Sequence, residues 1–215
     1  MIVTLPLDLI CVGLVFWVAA GAGRTILRKV WGAEQDSPGL ELVFSIGIGL
    51  AILSYIVFVM GVAGWLYGWT LRLMIAVMCG LFFREMKSVL METPALYRWC
   101  RKSFAGRYDI LLALLGVAAA ASNLVFNYSP PTQVREMLYD LTAPKLYLSH
   151  HSLIEWKYQK EFYYPMQIQM LYTLVMGMRN AMCAKLVHFL LGIFAGLAVY
   201  SAGRRFFSAR AAGYA

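Results

Sequence analysis

Glu136 and Asp140 stand four residues apart, so on a helix they share a face and present two carboxylates together. Such a pair can accept a proton from a hydroxyl or hold a cation, and it can equally be an ordinary solvated face. Arg135 and Lys145 flank it with a guanidinium and an ammonium group. His150 and His151 follow. Adjacent imidazoles point in different directions on a helix or a strand, whereas a metal pair wants a spacing of two or four, so no metal site is expected. Only a fold that carries Glu155 or Asp140 to the histidines would change that. Most of these groups fall in "YDLTAPKLYLSHH" (139–151), the densest polar and aromatic run of an otherwise apolar chain.

The elements that position them must be membrane helices. The chain is 61% hydrophobic and 14% charged, with a mean hydropathy of +0.66. Soluble domains carry about 25% charged residues. Several apolar runs reach the roughly 20 residues that cross a bilayer as a helix. The expected fold is therefore an all-α integral membrane protein with about five transmembrane helices and amphipathic interfacial helices in one large loop. Spans are expected near 4–22, 40–63, 68–84, 108–126 and 183–202. They divide into a three-span N-terminal region, 1–107, and a two-span region, 108–215, whose loop covers 127–182.

Charge sets the orientation. Arg24, Arg28, Lys29, Arg84, Lys87, Arg98, Arg101, Lys102, Arg107, Arg204, Arg205 and Arg210 all fall on one side if the five segments span, twelve of the 19 basic residues. The positive-inside rule makes that side cytoplasmic and puts the N-terminus and the 127–182 loop outside. The expected location is the bacterial cytoplasmic membrane. The net charge of +8 is explained by these flanks and by anionic lipid, so membrane lipids are expected partners and nucleic acid is not.

Smaller features refine this plan. "GWLYGW" (64–69) reads as a tight turn in an aromatic belt, with Arg72 snorkelling outward from just inside. "AAGAG" (19–23) imitates a signal cleavage site, but the run around it reads as a retained span. Small residues at 117–122 predict that the fourth span packs inside a bundle. Residues 85–107 predict a helix lying in the interface. The four cysteines are far apart in sequence and show no zinc or disulfide spacing, which reads as small buried side chains. In the large loop an amphipathic helix is expected from Val134, kinked or interrupted at Pro144. A second helix is expected after Pro165, on the bilayer surface or re-entering it. No nucleotide, dinucleotide, haem or nucleophile-elbow motif is present, so no cofactor is expected.

Three pieces between Pro130 and Phe207 carry a family resemblance: "SPPT" (129–132), "APKLYL" (143–148) and "AKLVHFLLGIFAGLAVYSAGRRFF" (184–207). Together they resemble bacterial membrane glycosyltransferases of the GT-C superfamily, relatives of protein mannosyltransferases and aminoarabinose transferases. The resemblance implies a polyprenyl-phosphate sugar donor and an acidic base early in the first large outer loop. In the family pattern Tyr139, Leu141, Pro144 and Lys145 match, but Arg135 stands where the acid belongs and Asp140 where a histidine belongs. Gln169 likewise stands where relatives have glutamate. A guanidinium cannot accept the acceptor's proton. The family also runs to about a dozen spans, and this chain stops after the fifth expected one.

The resemblance with these departures predicts a GT-C-derived module without transferase activity, an accessory or structural subunit packed against other transmembrane subunits. The alternative is a transferase, or half of one, acting at the outer face. It would use Asp140 or Glu136 as base, with Arg135, Lys145, His150 and His151 toward the lipid phosphate. A transporter fits less well, because no span carries paired charges or a broken-helix pattern.

Overall fold

The computed structural model of the protein describes residues 5–31, 38–101, 107–127, 140–155 and 167–207. Among the described residues there is no strand. Eight helices occur among them: α1 (Leu5–Trp31), α2 (Pro38–Val62), α3 (Gly68–Met91), α4 (Thr93–Arg101), α5 (Arg107–Asn127), α6 (Thr142–His150), α7 (Gln167–Met178) and α8 (Ala181–Phe206). Among the described residues, three stretches are long and apolar enough to cross a membrane: Leu5–Val30, Pro38–Val62 and Ala181–Phe206. The expected spans 68–84 and 108–126 lie on α3 and α5. α3 runs on to Met91 through Arg84, Glu85 and Lys87, and the apolar stretch of α5 is the shorter Leu114–Phe126.

The centre of the bundle is the α1–α2 pair, and "AAGAG" is what brings them together. A Cβ on Gly23 would lie 1.8 Å from the Ser45 carbonyl oxygen, and one on Gly49 would lie 1.8 Å from that of Ala19. Only glycine permits this approach. In lipid, close backbone packing is a main source of helix association, because burying apolar side chains gains little over lipid contact. The run at 117–122 does not pack this way. Val117, Ala118, Ala119, Ala121 and Ser122 are exposed, and α5 packs chiefly on α8. A run of small residues permits close packing, but a partner with small residues at the matching height must also be present.

α3 lies beside α1, with the Trp17 indole donating to the Met86 carbonyl at 2.8 Å. The α2–α3 turn carries Gly64 at φ +75°. Trp65, Tyr67 and Trp69 project from it, exposed as expected of an interfacial turn. α4 follows α3 almost directly, Glu92 capping the end of α3.

α7 is neither a surface helix nor peripheral. Met170 through Met176 are all buried, against α2, α3, α6 and α8. Its expected amphipathicity was read against water, whereas protein surrounds it. The second departure is Pro144. It sits in the first turn of α6, where its missing N–H is one of the donors that has no partner anyway, while residues 134–139 of the expected helix lie outside the described residues.

Candidate functional site

Asp140 lies two residues before the start of α6 and is partly buried. Its charge is felt by Tyr172 of α7, whose hydroxyl is pushed up from its ordinary value first by burial and then by that carboxylate. The hydroxyl lies 3.1 Å from Nδ1 of His188 on α8. His188 in turn lines a cavity of about 420 Å³ with Gly116, Ala120 and Asn123 of α5 and Phe189, Gly192 and Ile193 of α8. The Tyr172–His188 hydrogen bond thus borders a mixed polar and apolar cavity, with the Asp140 carboxylate acting on Tyr172 only through its charge. With Tyr172 donating to Nδ1, the neutral imidazole carries its proton on Nε2 and can donate to an acceptor oxygen.

The other expected site residues do not join Asp140. Lys145 and His150 are exposed on α6. His151 ends α6 in the left-handed conformation, φ +57°. Its ring stacks on Tyr67, centroids 3.9 Å apart, and Nδ1 sits 3.3 Å from the Leu66 carbonyl. The Leu66 amide donates to the His151 carbonyl at 3.0 Å. The residue expected toward the lipid phosphate is therefore the rivet between α6 and the α2–α3 turn. Among the described residues, Asp140 shares no hydrogen bond or ion pair with Lys145, His150 or His151. Arg135 and Glu136 lie outside the described residues. Gln169 is on α7, its backbone carbonyl accepting the Thr173 hydroxyl at 2.7 Å. Among the described residues no three His, Cys, Asp or Glu side chains converge as metal ligands.

The strong electrostatics lie elsewhere, at the two ends of α1. Asp8, fully buried in the first turn, pairs with Arg179 and accepts from Asn180 Nδ2 at 3.0 Å. Asn180 also caps α8, its Oδ1 taking the Cys183 amide at 3.1 Å. The carboxylate thus sits at the N-terminal ends of two helices, where their dipoles favour negative charge. Arg72 is exposed beside the end of α7. Its Nε donates to the Met178 carbonyl at 3.0 Å and closes the C-terminus of α7. At the far end Arg24, 3% exposed, donates to Glu41 at 2.8 Å and to Ser88 at 3.1 Å, and pairs with Glu92. Arg28 bridges Glu85 at 3.1 Å and Glu41 at 3.4 Å. This network joins α1, α2, α3 and the α3–α4 junction.

Sequence reasoning missed the Asp8 and Arg24 contacts. Each joins residues remote in sequence, and the available signal was the rarity of ionisable residues inside apolar runs. Comparison with protein-family models, with curated proteins and with solved structures gave no match.

Proposed function

We propose that this chain is a GT-C-derived membrane module that has lost sugar transfer and serves as a structural or accessory subunit within a larger membrane complex. The observation that carries this reading is the use made of the polar residues. His151 is spent on a stacking contact with Tyr67, Lys145 and His150 face outward apart from Asp140, and the buried charges fasten helices together. In this reading the chain crosses the bacterial cytoplasmic membrane five times, α3 and α5 included, with the Asp8 end outside. The distribution of basic residues supports that orientation. Arg24, Arg28 and Lys87 gather at the end of the bundle opposite Asp8, and Arg204 and Arg205 close α8 at that same end.

Isolation from native membranes in mild detergent tests it. The expected outcome is a stable assembly containing other transmembrane chains in fixed ratio to this one. A lone 24.2-kDa chain with nothing bound in constant proportion overturns it.

A second reading, a transferase using a polyprenyl-phosphate sugar at the outer face, is favoured by the Asp140–Tyr172–His188 series beside a cavity. There Asp140 or Glu136 is the base. Transfer of a labelled sugar from a polyprenyl-phosphate donor that is lost in Asp140→Asn with Glu136→Gln supports this reading. No transfer by wild-type protein in its native membrane removes it.

A further inference from the structure

α1 and α8 begin at the same end of the bundle and run parallel, tied at their first turns by the Asp8–Asn180 hydrogen bond of 3.0 Å. One turn further along each helix stands a cysteine, Cys11 three residues after Asp8 and Cys183 three residues after Asn180. Equal steps along two parallel helices of equal rise bring the two side chains to one level. There Cys183 lies in the core and Cys11 packs beside it, although the residues are remote in sequence. Both are free thiols. Cys183 is 0% exposed within the core, whereas Cys11 is only partly buried, so a reagent can reach one member of the pair.

The surroundings differ from those of an inert buried cysteine. Arg179 and Arg72 stand with Asp8 at this same end of the bundle. The thiolate is the nucleophile in disulfide exchange. Cys79, on α3, has neither a thiol nor a guanidinium partner among the described residues.

We infer that Cys11 and Cys183 form a dithiol modification site that a small-molecule disulfide converts to an internal disulfide, locking α1 to α8. The Cys11 sulfur attacks one sulfur of the oxidant R–S–S–R, forming a mixed disulfide and releasing RS⁻. The Cys183 sulfur then attacks the Cys11 sulfur, forming the Cys11–Cys183 bond and releasing the second RS⁻. The two thiol protons end on the released thiolates. The cysteines lose two electrons, and the oxidant gains them as two RSH. The site does not depend on whether the chain transfers sugar or assembles with partners.

The test uses the full chain in mild detergent with Cys79→Ser and Cys100→Ser, so that only this pair remains, and 4,4′-dithiodipyridine as oxidant. The expected result is release of two thiopyridones per chain, a product lighter by two hydrogen atoms, and recovery of both thiols with dithiothreitol. Adding Cys11→Ser or Cys183→Ser leaves one retained thiopyridyl adduct at most. Two retained adducts on the dithiol chain, or no reaction before denaturation, overturn the proposal. Should the serine variants fail to fold, the oxidised wild-type chain is digested and its peptides read by mass spectrometry. A Cys11–Cys183 cross-linked peptide supports the site, and capped peptides alone overturn it.

Discussion

Arg24 and Asp8 show how an ionisable side chain is kept inside an apolar bundle. Arg24 holds Glu41, Ser88 and Glu92 together through its planar fork, so Arg24→Met leaves the buried Glu41 with only the distant Arg28 contact. Removing one member of a buried pair costs on the order of 3 kcal/mol, read as a fall in unfolding temperature or in denaturant midpoint. Arg24→Lys keeps the charge but cannot serve three acceptors in the same geometry, and an intermediate loss is expected. At the other end, Asp8→Asn and Arg179→Met each lower the unfolding temperature. The double variant should be little worse than the worse single one, because both break one contact. A fully additive double variant would show that the two residues act separately. Tyr172 supplies a pH signature. Its folded-state pKa lies above the ordinary value of about 10, so the folded chain keeps a proton that the unfolded chain loses first. Stability is therefore fully present below about pH 10 and falls as the pH rises beyond it. Tyr172→Phe should flatten much of that fall, measured by thermal unfolding across pH 8 to 12. The residual slope belongs to Tyr147, also pushed up by burial.

Among the elements, the α1–α2 contact makes the sharpest demand on sequence. Gly49→Ala places a methyl group against the Ala19 carbonyl oxygen, where neither backbone can yield. A loss of about 3 kcal/mol or failure to fold is expected, at the upper end of the overpacking range. Gly80→Ala, on α3, meets nothing within 4 Å and should be neutral or slightly stabilising through the added helix propensity. How far these elements could be read from sequence varies with what stabilises them. The long apolar runs of α1, α2 and α8 announce themselves, because the bilayer selects for length and apolarity alone. The exposed Trp65, Tyr67 and Trp69 of the α2–α3 turn were legible for the same reason. The role of "AAGAG" was hidden, since a small-residue run acquires meaning only from the backbone it meets. α6 was visible as a helix near Pro144, but its register was not, because proline suits a first turn as well as a break. Among the described residues of the candidate site, Asp140 is the one whose charge reaches a buried tyrosine, Tyr172. His151, expected toward a lipid phosphate, stacks instead on Tyr67, far away in the chain.

Over the whole molecule the charges segregate by end. One end carries Asp8, Arg179 and Arg72, and the other carries Arg24, Arg28, Glu41, Glu85 and Glu92. The orientation proposed above makes a direct prediction. With the native cysteines replaced by serine, a single cysteine at Trp65 should react with a membrane-impermeant maleimide added to intact cells. A single cysteine at Arg205 should react only after the membrane is opened. The reverse pattern inverts the topology, and equal reaction from outside at both positions removes the span assigned to α8.

The pairing of Asp8 with Arg179 also bears on how the chain is made. The partners are 171 residues apart, so the ribosome delivers the carboxylate long before the guanidinium that neutralises it. Arg24 differs, because its partner Glu41 follows after only 17 residues. A charge held in lipid without its partner is costly. The first helix must therefore wait at the lipid–water boundary, or in the insertion machinery, until the last one arrives to close the bundle.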